Sequence, residues 1–267
     1  MSKLDKYEKE IEESFEKDEW RSVKNLKKKK SDYSKYAKNT FLKNKRINIR
    51  ISEKDLTNLK HLILRNTQVS DIEPIKGLTN LETLDFYKSQ ICDIGPIQDL
   101  KKLVHLDIRF TNVDNLEPLR ELTNLELLYI SHIKTSDLEP LKRLTKLNTI
   151  DTGNNNIFDL EPLRELTNLE TLDLSYSLVC DLEPIKGLKN LRCLQLNNTL
   201  VTDLEPITDL RKMRRLELNN TSISDIKCLE YLFNLKDLYI VNCPNITDDQ
   251  VTYMHNAWMN TLLIRRK

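Results

Sequence analysis

What most constrains this chain is a period. The 22 residues Leu166–Gly187, LTNLETLDLSYSLVCDLEPIKG, fall into register with the 22 before them and the 22 after. Eight copies in succession begin at Leu56, Leu78, Leu100, Leu122, Leu144, Leu166, Leu188 and Leu210, and a ninth, altered copy begins at Leu232. Counted from its first Leu, the repeat carries apolar residues at positions 1, 4, 7, 9, 14, 17 and 20. Self-similarity at a fixed period of this size points to a solenoid, in which each unit buries its apolar face against the next.

The spacing also assigns local structure. Positions 6 to 10 alternate, which predicts a short strand in each copy, and strands of successive copies stack into a parallel sheet. At roughly 4.8 Å per strand, nine strands make a sheet about 40 Å long. Position 19 is Pro in seven copies (Pro74, Pro96, Pro118, Pro140, Pro162, Pro184, Pro206), which stiffens a turn on the return side. Asp at position 16, as in Asp71, Asp159 and Asp203, is suited to bond the backbone of that turn. Glu at position 18 is followed three residues later by Lys or Arg in five copies, a self-neutralising solvated face. The fourth copy departs from the pattern, with Ile133 at position 12 and Thr135 at the apolar position 14, so a local distortion is expected over His132–Ser136.

These residues carry a resemblance. The pattern LxxLxxLxL is the leucine-rich repeat, and the D-L-x-P-L turn resembles the bacterial, internalin-like 22-residue class. The fold implied is an α/β solenoid with a parallel concave sheet and short convex turns, non-helical or 3-10. Position 12 is usually Asn in such repeats, where its amide bridges neighbouring turns. Here it is mostly Thr or Ser (Thr67, Ser89, Thr111, Ser177, Thr199, Thr221), which predicts a hydroxyl ladder.

Side chains at positions 6, 8 and 10 are expected to face outward from the concave sheet. Position 8 supplies an acidic row, including Asp85 and Asp107, interrupted by Tyr129 and Tyr239. Position 10 supplies Tyr87 and Arg109, and position 11 sets Phe110 and Tyr176 on the rim. Exposed Tyr and Arg are favoured interface anchors, so Tyr87, Arg109, Phe110 and Tyr129, in the second to fourth copies, form the richest candidate patch.

Charge is uneven where composition alone looks balanced. Net charge is +1, but residues 1–20 hold four Lys against eight acids, and residues 21–50 hold twelve basic residues against one acid. Leu4, Tyr7, Ile11 and Phe15 share one helical face, and Arg46–Ile51, RINIRI, alternates as a strand with a dry Ile side. The order of these elements resembles the amino-terminal part of ribbon-helix-helix antitoxins. That resemblance implies a paired strand whose Arg46, Asn48 and Arg50 enter a DNA major groove. The two helices such a dimer core needs are missing, since the repeats begin at Leu56 and Pro74 falls where the second helix would run. Otherwise Arg46–Ile51 is a strand that caps the solenoid. The expected organisation is a helical, basic extension over residues 1–45, a capping strand over 46–55, repeats over 56–245 and a C-terminal cap over 246–267.

Enzymatic chemistry finds little purchase. Four glycines cannot build a phosphate-cradling loop, and no GxSxG or HExxH motif is present. His61 and His105 share position 6 but sit two copies apart, roughly 10 Å, too far for one metal ion. Asp151 and Asp173 are about 5 Å apart on this geometry, but an open sheet offers no glycosidase pocket. No metal or cofactor is implied. Five cysteines without a CxxC pair, an amino terminus without an apolar signal and no 18-residue apolar run predict a cytoplasmic chain that does not enter a membrane. The reading is a non-enzymatic scaffold for another protein on the concave face, with a DNA-binding autoregulator using Arg46, Asn48 and Arg50 as the alternative.

Overall fold

The computed structural model describes residue 55, residues 57–258 and residues 262–266. The chain divides into Met1–Arg50 and Ile51–Lys267, and every described residue lies in the second unit. The basic extension and residues 46–54 of the expected capping segment fall outside the described residues.

Ten strands run in chain order in one parallel sheet: β1 (His61–Ile63), β2 (Thr83–Asp85), β3 (His105–Asp107), β4 (Leu127–Tyr129), β5 (Thr149–Asp151), β6 (Thr171–Asp173), β7 (Cys193–Gln195), β8 (Arg215–Glu217), β9 (Asp237–Tyr239) and β10 (Leu263–Arg265). Neighbouring repeat strands pair residues 22 apart, as His61 with Thr83 and Thr171 with Cys193. Backbone bonding continues beyond each three-residue strand to position 11, as in Leu64 N to Asp85 O and Asn66 N to Tyr87 O. The expected span of positions 6 to 10 is therefore paired throughout.

Seven of the eight return turns are 3-10 turns that carry the position-19 Pro at their start, where a missing N–H costs nothing. The position-16 carboxylate accepts the N–H two residues on, as Asp159 does from Glu161 at 2.9 Å. The Glu and Lys/Arg pairs form as read: Glu117 with Arg120 at 2.6 Å and Glu183 with Lys186 at 3.0 Å are examples. Such exposed pairs add little to stability, because solvent screens them.

Leucines and isoleucines at the repeat's apolar positions line one continuous core, Leu84, Leu106, Leu128, Leu172 and Leu194 being fully shielded. The position-12 threonine hydroxyls satisfy buried carbonyls as expected, each within its own repeat, whereas Ser89 Oγ and Ser177 Oγ find no partner among the described residues. Thr111 Oγ1 donates to the Ile108 carbonyl of its own repeat at 2.7 Å, and Thr67, Thr199 and Thr221 do the same. A hydroxyl is too short to reach the next turn; Asn155, one atom longer, does bridge, donating to the Ile130 carbonyl and accepting from Ile133 N. The regular ladder lies instead at position 3. Asn80, Asn124, Asn168, Asn190 and Asn234 each donate to the position-2 carbonyl of the preceding repeat, at 2.7 or 2.8 Å. One sequence expectation needs correction here, and it concerns the fourth repeat. Its strand keeps the common register on both sides, and Thr135 is buried with its hydroxyl bonded to Asp137 O. That local bond satisfies the misplaced hydroxyl, so no bulge is needed.

The C-terminal end is closed by α1 (Asp248–Ala257), capped by Thr247 accepting from Gln250 N, and then by β10 against β9. Met254 of α1 and Leu262 join the buried core.

Candidate functional site

Position 11 gives the rim of the sheet its geometry. All nine residues there have left-handed backbone, with φ between 54° and 59°. Asn tolerates this best among residues with side chains, and it fills Asn66, Asn154, Asn198, Asn220 and Asn242. Lys88, Phe110, His132 and Tyr176 fill the rest, at about 1 kcal/mol or more of backbone cost apiece. Three of these four stand in successive repeats.

Around them the second to fourth repeats form one cluster. The Arg109 guanidinium lies over the Tyr87 ring at 5.3 Å and the Tyr129 ring at 4.8 Å. Phe110 meets Tyr87 edge-on, centroids 5.5 Å apart, and stacks on His132 at 3.9 Å and 16°. Lys88 Nζ sits 5.2 Å from both the Tyr87 and Phe110 rings. Asn154 Nδ2 donates to His132 Nδ1 at 2.8 Å, and the His105 ring tilts against Tyr129. Burial of His105 holds its imidazole below the ordinary value, favouring the neutral form. The surface is thus aromatic and cationic, and its side chains restrain one another.

Asp85 and Asp107 take a different place from the one expected. Their relative exposures are 1% and 0%. Asp85 lies under Arg65, and Asp107 is held by Arg109 through Nε at 3.0 Å and Nη2 at 2.6 Å. Both are covered anchors that orient arginines, not groups a partner touches. The bond to Asp107 is also the chief reason the Arg109 guanidinium is held above its ordinary value.

Tyr87, Arg109, Phe110 and Tyr129 come together as anticipated. Tyr176 stands apart on the rim, 60% exposed, and Tyr239 belongs to a second cluster between Arg215 at 4.8 Å and Arg265 at 5.2 Å. Arg46, Asn48 and Arg50 lie outside the described residues. The sequence reading missed Lys88 and His132; the signal was available, because each replaces the Asn that otherwise recurs at position 11. It also did not pair Arg65 with Asp85, twenty residues away.

Among the described residues no group of three His, Cys, Asp or Glu side chains is placed to hold a metal ion. Among them, too, no helix is long and apolar enough to cross a membrane. All five cysteines are free thiols.

The stacked parallel strands, left-handed rim and proline turns make a leucine-rich-repeat solenoid, similar to the internalin kind. A two-copy leucine-rich-repeat family model matches residues 57–101 and 167–212. The solenoid is similar to the crystal structure of the internalin InlF from Listeria monocytogenes, with 26% identity and a TM-score of 0.71, over 86% of this chain and 72% of that one. It is similar also to internalin C2 from Listeria monocytogenes, with 26% identity and a TM-score of 0.59, over 85% of this chain and 89% of that one. A leucine-rich-repeat protein from Leptospira interrogans shares the fold at 22% identity, TM-score 0.67, over 79% of this chain and 61% of that one. No curated protein matches the sequence. Solenoids of this fold commonly mediate protein–protein interaction and are generally non-enzymatic.

Proposed function

We propose that the chain is a non-catalytic recognition module that holds a protein partner on its concave face, with the contact centred on the second to fourth repeats. One observation carries the proposal: Lys88, Phe110 and His132 occupy left-handed backbone where Asn would be unstrained, and all three project into the cluster around Arg109. Strain that the fold does not require is a mark of selection for something other than stability. Phe110 is exposed and Tyr87, Arg109 and Tyr129 are half-buried, and side chains already restrained in this way lose little entropy on binding, which suits them as anchors. The proposal sets the protein in the cytoplasm, where five free thiols stay reduced.

The test is copurification from the native cell with a tagged full-length chain. Arg109→Glu inverts the charge at the centre of the patch, and Lys142→Glu does the same on the exposed return side. A partner lost with Arg109→Glu and kept with Lys142→Glu supports the concave assignment. The opposite pattern moves the interface to the return side.

A further inference from the structure

The concave carboxylates are not treated alike. Asp85 and Asp107 lie under Arg65 and Arg109, and Glu217 is held by Arg215 at 2.6 Å and Asn197 at 2.7 Å. Asp151 receives the edge of one guanidinium, Arg109 Nη1 at 3.5 Å, a hydroxyl bond from Ser131 and the Gly153 N–H at 3.2 Å, so its charge is only partly compensated. Arg109 cannot move closer without leaving Asp107, to which two of its nitrogens are bonded. Asp173 pairs with no Lys or Arg among the described residues; Ser175 N donates to it at 2.8 Å.

Between these two carboxylates, position 10 is Gly153. The backbone does not ask for glycine there, since among the glycines only Gly77 has positive φ. A β-carbon at Gly153 would meet nothing closer than Asp151 Oδ1 and Ser175 O at 3.5 Å and Asp173 Oδ1 at 3.6 Å, which is ordinary contact. The flanking residues of the same row, Ser131 and Ser175, are also small. In the first and third repeats this register position is Arg65 and Arg109, and each lays its guanidinium on a concave carboxylate. The fifth repeat therefore lacks a cation that its backbone would accommodate, beside two partly exposed carboxylates that would receive one.

We propose that the gap at Gly153 accepts an arginine or lysine side chain of the bound protein, its cation lodged between Asp151 and Asp173. This rests on the concave-face reading above and extends it: the partner's segment crosses from the aromatic cluster into the fifth and sixth repeats and supplies there what Arg65 and Arg109 supply within the chain. Burial raises the Asp173 carboxyl from its ordinary value, with Asp151 and Glu217 adding to the rise and Ser175 opposing it. Its ionised form is thus under-compensated in the unbound protein, and a partner's cation supplies the missing compensation.

The test uses the full chain and a library of random twelve-residue peptides, with the affinity of the best binder measured by fluorescence anisotropy. The expected binder carries a basic residue whose replacement by Ala weakens binding about tenfold, the scale of one charge pair worth about 1.4 kcal/mol. On Gly153→Arg, which fills the gap from within, and on Asp173→Asn, the same replacement changes affinity less than about twofold. A binder with no required basic residue, or a tenfold loss that persists on both variants, overturns the proposal. If such a binder is still lost on Arg109→Glu, the concave-face reading stands without the gap. If Arg109→Glu leaves binding untouched, or no binder emerges, the reading and the gap fall together.

Discussion

The second to fourth repeats and the fifth to sixth repeats share one scaffold and differ in almost everything mounted on it. Beneath both lie the same shielded leucines, Leu106 in β3 and Leu172 in β6. Above the first group, carboxylates are sealed under arginine and the rim carries Lys88, Phe110 and His132. Above the second, Asp151 and Asp173 stand partly exposed around a glycine, and the rim begins with the unstrained Asn154. The solenoid's stability comes from parts that repeat. Its individuality comes from parts that do not repeat, several of which cost stability.

The largest expected effects test the sameness below. Leu106→Ala and Leu172→Ala should each destabilise the protein by about 3 kcal/mol in urea unfolding, because each removes a fully shielded side chain and leaves a cavity. Values differing by more than about 2 kcal/mol between the two would show that the scaffold is not uniform.

Next come the covers. Arg109→Ala uncovers a carboxylate of 1% side-chain exposure and should cost about 2 kcal/mol, whereas Arg215→Ala, over the more accessible Glu217, should cost about 1 kcal/mol. Adding Asp107→Asn to Arg109→Ala should recover part of the loss, measured as a double-mutant cycle. Full additivity would mean that the two side chains do not act together.

Smaller effects have the opposite sign. Tyr176→Asn should stabilise the protein by about 0.5–1 kcal/mol, since it relieves left-handed strain at an exposed ring. Asp173→Asn should leave the protein at least as stable as the parent at neutral pH. The folded-state value of Asp173 is raised above its unfolded value, so the cost of its ionised form is present above the folded value and vanishes as pH falls below 3.8. Thermal unfolding from pH 3 to pH 7 should therefore show the variant's advantage shrinking toward acid. An advantage that grows toward acid would reverse the electrostatic picture.

Much of this fold was legible in the sequence because its determinants recur every 22 residues. Leucine spacing, turn aspartates, prolines and Glu–Lys pairs all act within one repeat, where spacing is geometry. What escaped depended on contacts between repeats or on backbone angles. Asp85 and Asp107 look like their neighbours Asp151 and Asp173 until Arg65 and Arg109 are seen above them. The inter-repeat ladder lies with Asn80 and its equivalents at position 3, because the Thr at position 12 is too short to leave its own turn. Lys88 and His132 were marked in the sequence by replacing the recurrent Asn of position 11, but the meaning of that Asn emerged only with the left-handed backbone there. Tyr87, Arg109, Phe110 and Tyr129 were legible as a patch because consecutive repeats place equal positions side by side.

The central claim, that a protein partner sits on the concave face of the second to fourth repeats, is tested most directly by site-specific photocrosslinking in the native cell. A photoreactive residue at Phe110 should give a discrete protein adduct, and one at Lys142 on the return side should give none. An adduct from Lys142 alone would contradict the account.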